Sequence, residues 1–494
     1  MPRPILILLI SLVSTANAQV GTDFWWEPGL NAALFPHTEY PNPNGWLGMV
    51  NADGTTHTVL HPFFEPIGTN GRACVSCHQP AHAMSISAEA VRTRWTATKG
   101  KDPIFAAIDG SNCPGLPQDK ESSHSLLLNR GLIRVPLPWP PQTVKPEFTI
   151  EVVRDPSTCN LDTTYGLKGR EAAVSVFRRP RMAANLKYVT NPAGPIVLKT
   201  GMPADLDPET GKPVGMNMMA DAREATLTTQ AISAALGHLQ AKKAPSIEDL
   251  RMIVDFESKL YTAQIWDNTG LDLDEPGAPA GLNANNLAKG KPGVLGDNNY
   301  SPVFQLFDEW KKAPGKTPEQ RAFRESVARG NDIFMFRQFW LRDAAHINSI
   351  GLGNPLKRTC ATCHNAQMTG QDLSSGWVDL GTNNYPTWTE KTTFDEKGEL
   401  PVFKLTCNKD APPHPYLGRV VYTTDPGRAL ISGKCIDIGS IVMQQFRGLS
   451  ARAPYFANGS AKTLREVVDY YDRRFDMKLS DTEKQDLINF LSVL

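Results

Sequence analysis

The chain has 494 residues, 51 basic against 51 acidic side chains and a hydrophobic content of 41%. This length allows two or three domains. The balanced charge argues against a nucleic-acid partner and against binding to a charged membrane surface.

The N-terminus has the features of a secretory signal peptide. Arg3 precedes an apolar run over residues 5–13, and Ala16-Asn17-Ala18 fits a cleavage site. No later run approaches the ~18 apolar residues that a transmembrane helix needs. We therefore expect residues 1–18 to be removed and the mature protein to be periplasmic without a membrane span. The alternative is an uncleaved amphipathic anchor.

One five-residue motif, Cys-x-x-Cys-His, occurs once in each half, as Cys74-Val-Ser-Cys77-His78 and as Cys360-Ala-Thr-Cys363-His364. This spacing is the attachment signature of c-type haem, in which both thiols become thioethers and the histidine ligates the iron. A disulfide turn or half of a zinc ribbon is the alternative. Zinc ribbons bring their cysteine pairs within some 15–20 residues of each other, whereas these motifs are far apart. The sequence therefore predicts two covalently bound haem c groups.

Four further cysteines suit an oxidising compartment. The simplest pairing joins near neighbours, with one bridge in each half: Cys113 with Cys159, and Cys407 with Cys435. Four cysteines allow three connectivities, so the pairing rests on proximity.

Each half follows the plan of a cytochrome c domain. Residues 148–153 predict a short strand, and Ser246 predicts the start of a helix that ends near Gln264. Residues 267–302 are rich in Gly, Pro, Asn and Asp and predict a long connection. Capping patterns, followed by apolar residues at helical spacing, predict two helices in the second half, at Thr317-Pro318-Glu-Gln320 and at Ser480-Asp-Thr-Glu483.

These patterns predict a mainly α protein with two cytochrome c-like haem domains and long irregular loops. The predicted boundaries are 1–18 for the signal peptide, 19–266 for the N-terminal haem domain, 267–316 for the interdomain connection and 317–494 for the C-terminal haem domain.

Several segments resemble the bacterial di-haem cytochrome c peroxidase superfamily, which includes MauG-type enzymes and rubber oxygenases. In the C-terminal part they are Tyr422-Thr-Thr-Asp425-Pro-Gly427-Arg428, Phe446-Arg447-Gly-Leu-Ser-Ala-Arg452-Ala-Pro454-Tyr-Phe-Ala457-Asn-Gly459 and Thr463-Leu-Arg-Glu-Val-Val-Asp-Tyr470-Tyr471. In the first half, Asp221-Ala-Arg223-Glu-Ala-Thr-Leu227-Thr-Thr-Gln230-Ala resembles a family segment that lies over the first haem.

The resemblance implies a division of labour between the haems. The N-terminal haem would bind and cleave hydrogen peroxide or another small oxidant, and the C-terminal haem would take electrons from a small periplasmic cytochrome or cupredoxin. Gln230 falls where the family keeps a glutamine in the active pocket. His238 lies close to the family's acid–base glutamate; it could protonate the leaving oxygen, ligate the iron, or be an ordinary helix residue. His82, four residues after His78, is a weaker candidate for a distal group; the alternatives are an exposed side chain or a contact to a haem propionate.

For the second haem, the resemblance places the axial ligand at Tyr471, where ordinary peroxidases have methionine and MauG-type enzymes have tyrosine. The alternatives are that Tyr471 packs beside the haem, or that Met443 or Met477 is the ligand. Arginine binds carboxylates bidentately, so three arginines are candidate partners of the haem propionates, with surface ion pairs as the competing interpretation: Arg428, Arg447 and Arg452.

Three family residues are replaced: the tryptophan between the haems by Ala220, a glycine by Ala222 and a histidine by Ala457. The interhaem route through that tryptophan is therefore in doubt, with three tryptophans as possible substitutes: Trp266, Trp310 and Trp340. Family members often dimerise and carry calcium between the domains, although the sequence has no acidic loop of recognisable spacing.

Three functions follow as hypotheses. The leading one is a peroxidase-like oxidoreductase. The second is MauG-type or oxygenase-like oxidation of a protein or organic substrate. The third is a pure electron carrier in which both irons have six ligands.

Overall fold

The computed structural model describes residues 24–170, 172–190, 218–290, 305–312, 315–345, 355–364, 377–385 and 397–494, with the backbone of 196–197 and 202–203. The predicted signal peptide and part of the predicted connection lie outside these residues. Among the helices that the structure describes, none has the length and apolar character needed to cross a membrane.

The helices in the described ranges are mostly short. They are α1 (Ala88–Thr98), α2 (Ala107–Gly110), α3 (Ser125–Arg130), α4 (Leu186–Val189), α5 (Leu227–Gly237), α6 (Ile247–Ser258), α7 (Ala284–Lys289), α8 (Pro318–Phe336), α9 (Ala429–Ser432), α10 (Leu464–Phe475) and α11 (Asp481–Ser492).

The strands form small antiparallel sheets. They are β1 (Ala33–Leu34), β2 (His37–Asn42), β3 (Gly45–Asn51), β4 (Thr56–His57), β5 (Ile133–Pro138), β6 (Phe148–Arg154), β7 (Ala173–Arg178), β8 (Ile196–Val197), β9 (Met202–Pro203), β10 (Leu260–Asp267), β11 (Leu271–Asp272), β12 (Phe339–Leu341), β13 (Leu356–Arg358), β14 (Trp377–Val378), β15 (Asn384–Tyr385), β16 (Val402–Cys407), β17 (Val420–Thr423) and β18 (Ile441–Val442).

The prediction of a mainly α protein is wrong. Helices account for 32% of the described residues and strands for 20%, which makes this a mixed α/β fold. The strands include two four-stranded sheets, ordered β11-β10-β3-β2 and β15-β17-β16-β6, in which only β6 was predicted as a strand. Pairing between segments distant in sequence determined the secondary structure of these regions, and helical periodicity in the sequence cannot detect such pairing.

The first-half helix prediction was right at its start and wrong at its end. The Ser246 side chain accepts a hydrogen bond from the Asp249 backbone N–H at 3.1 Å, as a capping residue should. However, α6 stops at Ser258, and β10 follows it as a strand paired with β3. The aromatic and β-branched residues of β10 favour extended backbone once a partner strand supplies the hydrogen bonds.

The helix starts of the second half are confirmed. The Ser480 hydroxyl accepts from the Glu483 N–H at 3.2 Å, and Glu483 accepts from the Ser480 N–H at 2.8 Å. Thr317 caps α8 by accepting from the Gln320 N–H at 3.2 Å.

One sheet joins the two halves of the chain. Strand β6 pairs with β16, with Ile150 opposite Leu405. The predicted strand over 148–153 is thus confirmed, and it forms an edge of a sheet whose other strands come from the second half. Both predicted disulfides are also confirmed, Cys113–Cys159 and Cys407–Cys435.

Helices α8 and α11 approach each other closely at a glycine. A Cβ added to Gly330 would lie 2.1 Å from the carbonyl oxygen of Asp486. Asp486 also accepts hydrogen bonds from Ser326 at 2.6 Å and from Arg329 at 2.8 Å. Any side chain larger than hydrogen at position 330 must therefore push the helices apart.

We predict that Gly330→Ala lowers the free energy of unfolding by about 1–3 kcal/mol, because the added methyl group overpacks this crossing. Thermal unfolding followed by circular dichroism measures the effect. The matched control is Gly237→Ala, where an added Cβ meets nothing within 4 Å and stability should stay constant or rise. Equal melting temperatures for Gly330→Ala and wild type would contradict the close approach.

Candidate functional site

The first Cys-x-x-Cys-His segment forms a tight turn at the edge of a large cleft. The backbone N–H groups of Cys77 and His78 both donate to the Cys74 carbonyl, at 3.2 and 3.1 Å. Both sulfurs and the imidazole line this first cleft, which encloses about 1310 Å³ of empty space including its open mouth. The turn therefore gives the arrangement that two thioether bonds and an adjacent iron ligand require.

A backbone carbonyl fixes the orientation of the His78 ring. Its Nδ1 lies 2.9 Å from the Met84 oxygen, so Nδ1 carries the proton and Nε2 remains available as a ligand. The pKa of His78 is lowered, mainly by burial. The lower pKa favours the neutral imidazole, which is the form that binds iron.

The second Cys-x-x-Cys-His segment repeats this geometry. The N–H groups of Cys363 and His364 donate to the Cys360 carbonyl at 3.2 and 3.0 Å. The three side chains line a second cleft of about 1460 Å³ of empty space. The Phe446 ring lies 4.5 Å from the His364 ring, between centroids. Both halves therefore present two cysteine sulfurs and an imidazole to a cleft in the same arrangement, to which a large flat group could attach.

Two buried arginines test whether a haem fits these clefts. The Arg179 guanidinium donates to the carbonyls of Ile86 and Arg452 at 2.6 and 2.7 Å, and Arg452 donates to the carbonyl of Arg447 at 3.2 Å. Mainly through burial, the pKa of Arg179 is lowered to about 9 and that of Arg452 to about 10.

These two cations have only carbonyl oxygens as polar partners among the described residues. A buried charge that lacks a counter-ion is strongly unfavourable, and both guanidinium groups line the clefts. The carboxylates of haem propionates would supply the missing negative charge, so the residues present fit haem.

A histidine–carboxylate pair also lines the first cleft. His238 ends helix α5, and its Nδ1 lies 2.7 Å from Oδ2 of Asp109, which is 3% exposed. Arg72, equally buried, lies 3.5 Å from the same oxygen. The carboxylate holds the proton on Nδ1, which leaves Nε2 of His238 free to accept a proton or to bind a metal.

Helix α5 presents one face to the first cleft. Gln230, Ala234 and His238 recur four residues apart and all line it. The structure thus brings both predicted distal residues, Gln230 and His238, to the cleft that contains His78.

Sequence reasoning missed Glu257, which lines the same cleft from α6. Its side chain is buried, and its Oε2 has no hydrogen-bond partner among the residues described. Burial raises the pKa of this carboxyl to about 8. The available signal was an acid beside the apolar stripe Leu250, Ile253 and Phe256. Arg179 was missed too, although the sequence shows three arginines in the run Arg178-Arg179-Pro180-Arg181.

The second cleft contains all three candidate axial ligands, Tyr471, Met443 and Met477. Burial raises the pKa of the Tyr471 hydroxyl, so a protein environment without a metal keeps it protonated. The adjacent Tyr470 instead donates to the Leu380 carbonyl at 2.9 Å. Of the two adjacent tyrosines of α10, Tyr471 is therefore the one whose side chain lines the second cleft.

Other candidates lie outside both clefts. Arg428 donates to the Ala222 carbonyl at 2.6 Å, and Arg447 donates to the Gly281 carbonyl at 2.7 Å. His82 contacts the Ala451 carbonyl at 3.0 Å. For calcium, the described ranges contain no group of three or more His, Cys, Asp or Glu side chains that could hold a metal ion.

A buried ion cluster adjoins the first cleft, which Arg178 and Arg223 line. Arg178 donates to Asp221 at 2.6 Å and to Asp425 at 2.6 and 2.9 Å, and Arg223 donates to Asp221 at 2.8 Å. Opposing the effect of burial, Arg223 and Arg178 hold the pKa of Asp221 far below its usual range. The cluster joins the two halves, since Asp425 lies in the second.

The sequence matches no protein-family model and no curated protein. Among solved structures, it is distantly similar to hydrazine synthase of Kuenenia stuttgartiensis, with 13% identity over 65% of this chain and 73% of that chain and a TM-score of 0.30. A MauG-like protein associated with microbial copper homeostasis gives 14% identity, 63% and 82% coverage and a TM-score of 0.27. Similarities this weak do not establish a shared fold.

We predict that Asp425→Asn lowers the free energy of unfolding by about 3–5 kcal/mol, because it leaves the buried Arg178 charge undercompensated. Denaturant unfolding at neutral pH measures this. Asp119→Asn, at an exposed carboxylate, is the control and should have little effect. Wild-type stability in Asp425→Asn would contradict a role for the cluster.

The same cluster predicts an acid dependence. Because the pKa of Asp221 is lower in the folded protein than the unfolded value of ~3.9, its contribution to stability is complete above that value. It is lost as pH falls further toward the folded pKa. We expect Asp221→Asn to be destabilised at neutral pH and to lose less additional stability on acidification than wild type. Parallel acid-titration slopes in denaturant experiments would refute this.

Proposed function

We propose that this protein is a periplasmic di-haem c-type cytochrome that reduces hydrogen peroxide. Cys74, Cys77 and His78 would hold the haem at which peroxide reacts. The second haem, on Cys360, Cys363 and His364, would accept electrons from a small cytochrome or cupredoxin. The observation that carries the proposal is the first cleft, where a haem-attachment turn, a glutamine and a carboxylate-bound histidine meet.

Haem bound in this cleft would supply an iron that coordinates peroxide and exchanges electrons. His238 then acts as the acid–base group. Its Nε2 takes a proton from peroxide and returns it to the departing oxygen, while Asp109 stabilises the imidazolium. The Gln230 amide orients the oxygen atoms by hydrogen bonding. Overall, one peroxide takes up two electrons and two protons and gives two waters.

The two disulfides support the compartment in this proposal. Disulfides persist in oxidising compartments such as the bacterial periplasm and are rare in the cytosol. Covalent haem attachment fits the same location. The disulfides bond Cys113 to Cys159 and Cys407 to Cys435, so all four cysteines that remain for haem are those of the two motifs.

A second candidate function is MauG-type oxidation of a protein or organic substrate. Its support is Tyr471 in the second cleft, because an anionic tyrosinate stabilises ferric iron. A third is electron transfer alone, which would follow if Nε2 of His238 ligates the first iron. EPR spectra of the oxidised and half-reduced protein, before and after peroxide, separate the three. A haem that reacts with peroxide excludes the third, and rapid oxidation of a reduced cytochrome argues for the first over the second.

We predict that His238→Ala slows the reaction with peroxide about a hundredfold or more, because it removes the proton-transferring group. Gln230→Ala should slow it less, since the amide only orients the oxygens. Stopped-flow absorbance of the haem bands measures both rates, and haem content should equal that of wild type.

The matched control is His82→Ala, which removes an imidazole that lies outside both clefts. Its peroxide rate should equal that of wild type. If His238→Ala and Gln230→Ala also react at the wild-type rate, the assignment of the distal pocket is wrong. If His238→Ala instead gains peroxide reactivity, His238 is an iron ligand and the electron-carrier function is favoured.

A further inference from the structure

The two clefts share one wall. Four residues line both: Arg179 and Pro180, which follow β7, and Gln444 and Gln445, which follow β18. One segment comes from each half of the chain. Because the same residues contact both cavities, a single layer of side chains separates the two haem sites.

Hydrogen bonds fasten the two segments of the shared wall to each other. Arg181 donates to the carbonyls of Val442 and Met443, each at 2.9 Å. In the opposite direction, Nε2 of Gln445 donates to the Ala184 carbonyl at 3.1 Å. The wall is therefore fixed from both sides and cannot open without breaking buried bonds.

No tryptophan of those named above takes part in the wall. Ala220, at the position of the family's tryptophan, lies beside it and accepts a hydrogen bond from the Val442 N–H at 2.7 Å, but it offers only a methyl group. Trp310 is buried against Arg324, and Trp266 and Trp340 are 39% and 53% exposed. The side chains of the shared wall, and none of these tryptophans, therefore lie between the two sites.

Gln444 has a hydrogen-bond donor in this wall that lacks an acceptor. Its Nε2 is enclosed and has no hydrogen-bond acceptor among the described residues. An enclosed amide donor without an acceptor is energetically unfavourable. A polar substituent of a haem in either cleft would satisfy it, as the propionates would satisfy Arg179.

We propose that the shared wall carries electrons between the two haems and that Gln444 is its positioning residue, with its amide bonded to a haem substituent. This inference rests on the proposed function. In each transfer one electron leaves the reduced second haem, which becomes oxidised, and reduces the first; no covalent bond forms or breaks. Two transfers supply the electrons for one peroxide.

The test uses the full-length protein loaded with both haems. After rapid photoreduction, we measure electron transfer between the haems by transient absorbance in wild type and in Gln444→Leu, which keeps the side-chain size but removes the donor. The expected result is a rate roughly tenfold lower, with haem content and melting temperature unchanged. Gln338→Leu, the same change at an exposed position outside both clefts, should keep the wild-type rate.

Each outcome decides the inference. A slower rate in Gln444→Leu alone supports it, and a wild-type rate in a fully loaded Gln444→Leu overturns it while the proposed function stands. If Gln444→Leu does not load haem, Gln444→Asn keeps the amide with a shorter reach; a reduced rate supports the proposal and an unchanged one overturns it. A wild-type protein with fewer than two haems, or without transfer between them, overturns the proposed function itself.

Discussion

One guanidinium between two carboxylates organises the centre of this molecule. Arg178 is buried, and its partners Asp221 and Asp425 come from different halves of the chain. A buried charge stays in place only when its partners stay in place, because each alternative leaves an uncompensated ion. The cluster therefore fixes the position of Arg178. The next two residues, Arg179 and Pro180, belong to the shared wall that lines both clefts.

Features with a local cause were predictable from the sequence. The turns of the two Cys-x-x-Cys-His segments, the Ser480 cap and the pairing of near-neighbour cysteines depend on residues close together in the chain. The fold class was not predictable in the same way. The segment after Ser258 continues an apolar pattern that suits a helix, yet it becomes β10 because β3, distant in sequence, supplies its hydrogen bonds.

The candidate site shows the same division. The family resemblance singled out Gln230 and His238, and both reach the first cleft. The partner of His238 could not be predicted, because Asp109 comes from a short helix in another part of the chain. Arg179 and Glu257 have chemical meaning only through burial, and a single sequence does not show which charged residues are buried.

The pairing of β6 with β16 has a consequence for how the chain matures. Strand β6 belongs to the first half, but it is the edge strand of a sheet completed some 250 residues later. During synthesis, the backbone groups of β6 remain without their partner until β16 has been made. Unpaired strand edges are templates for association between chains. Synthesis of the first half alone would leave such an edge permanently open, so separating the two halves would expose β6 to pairing with other chains.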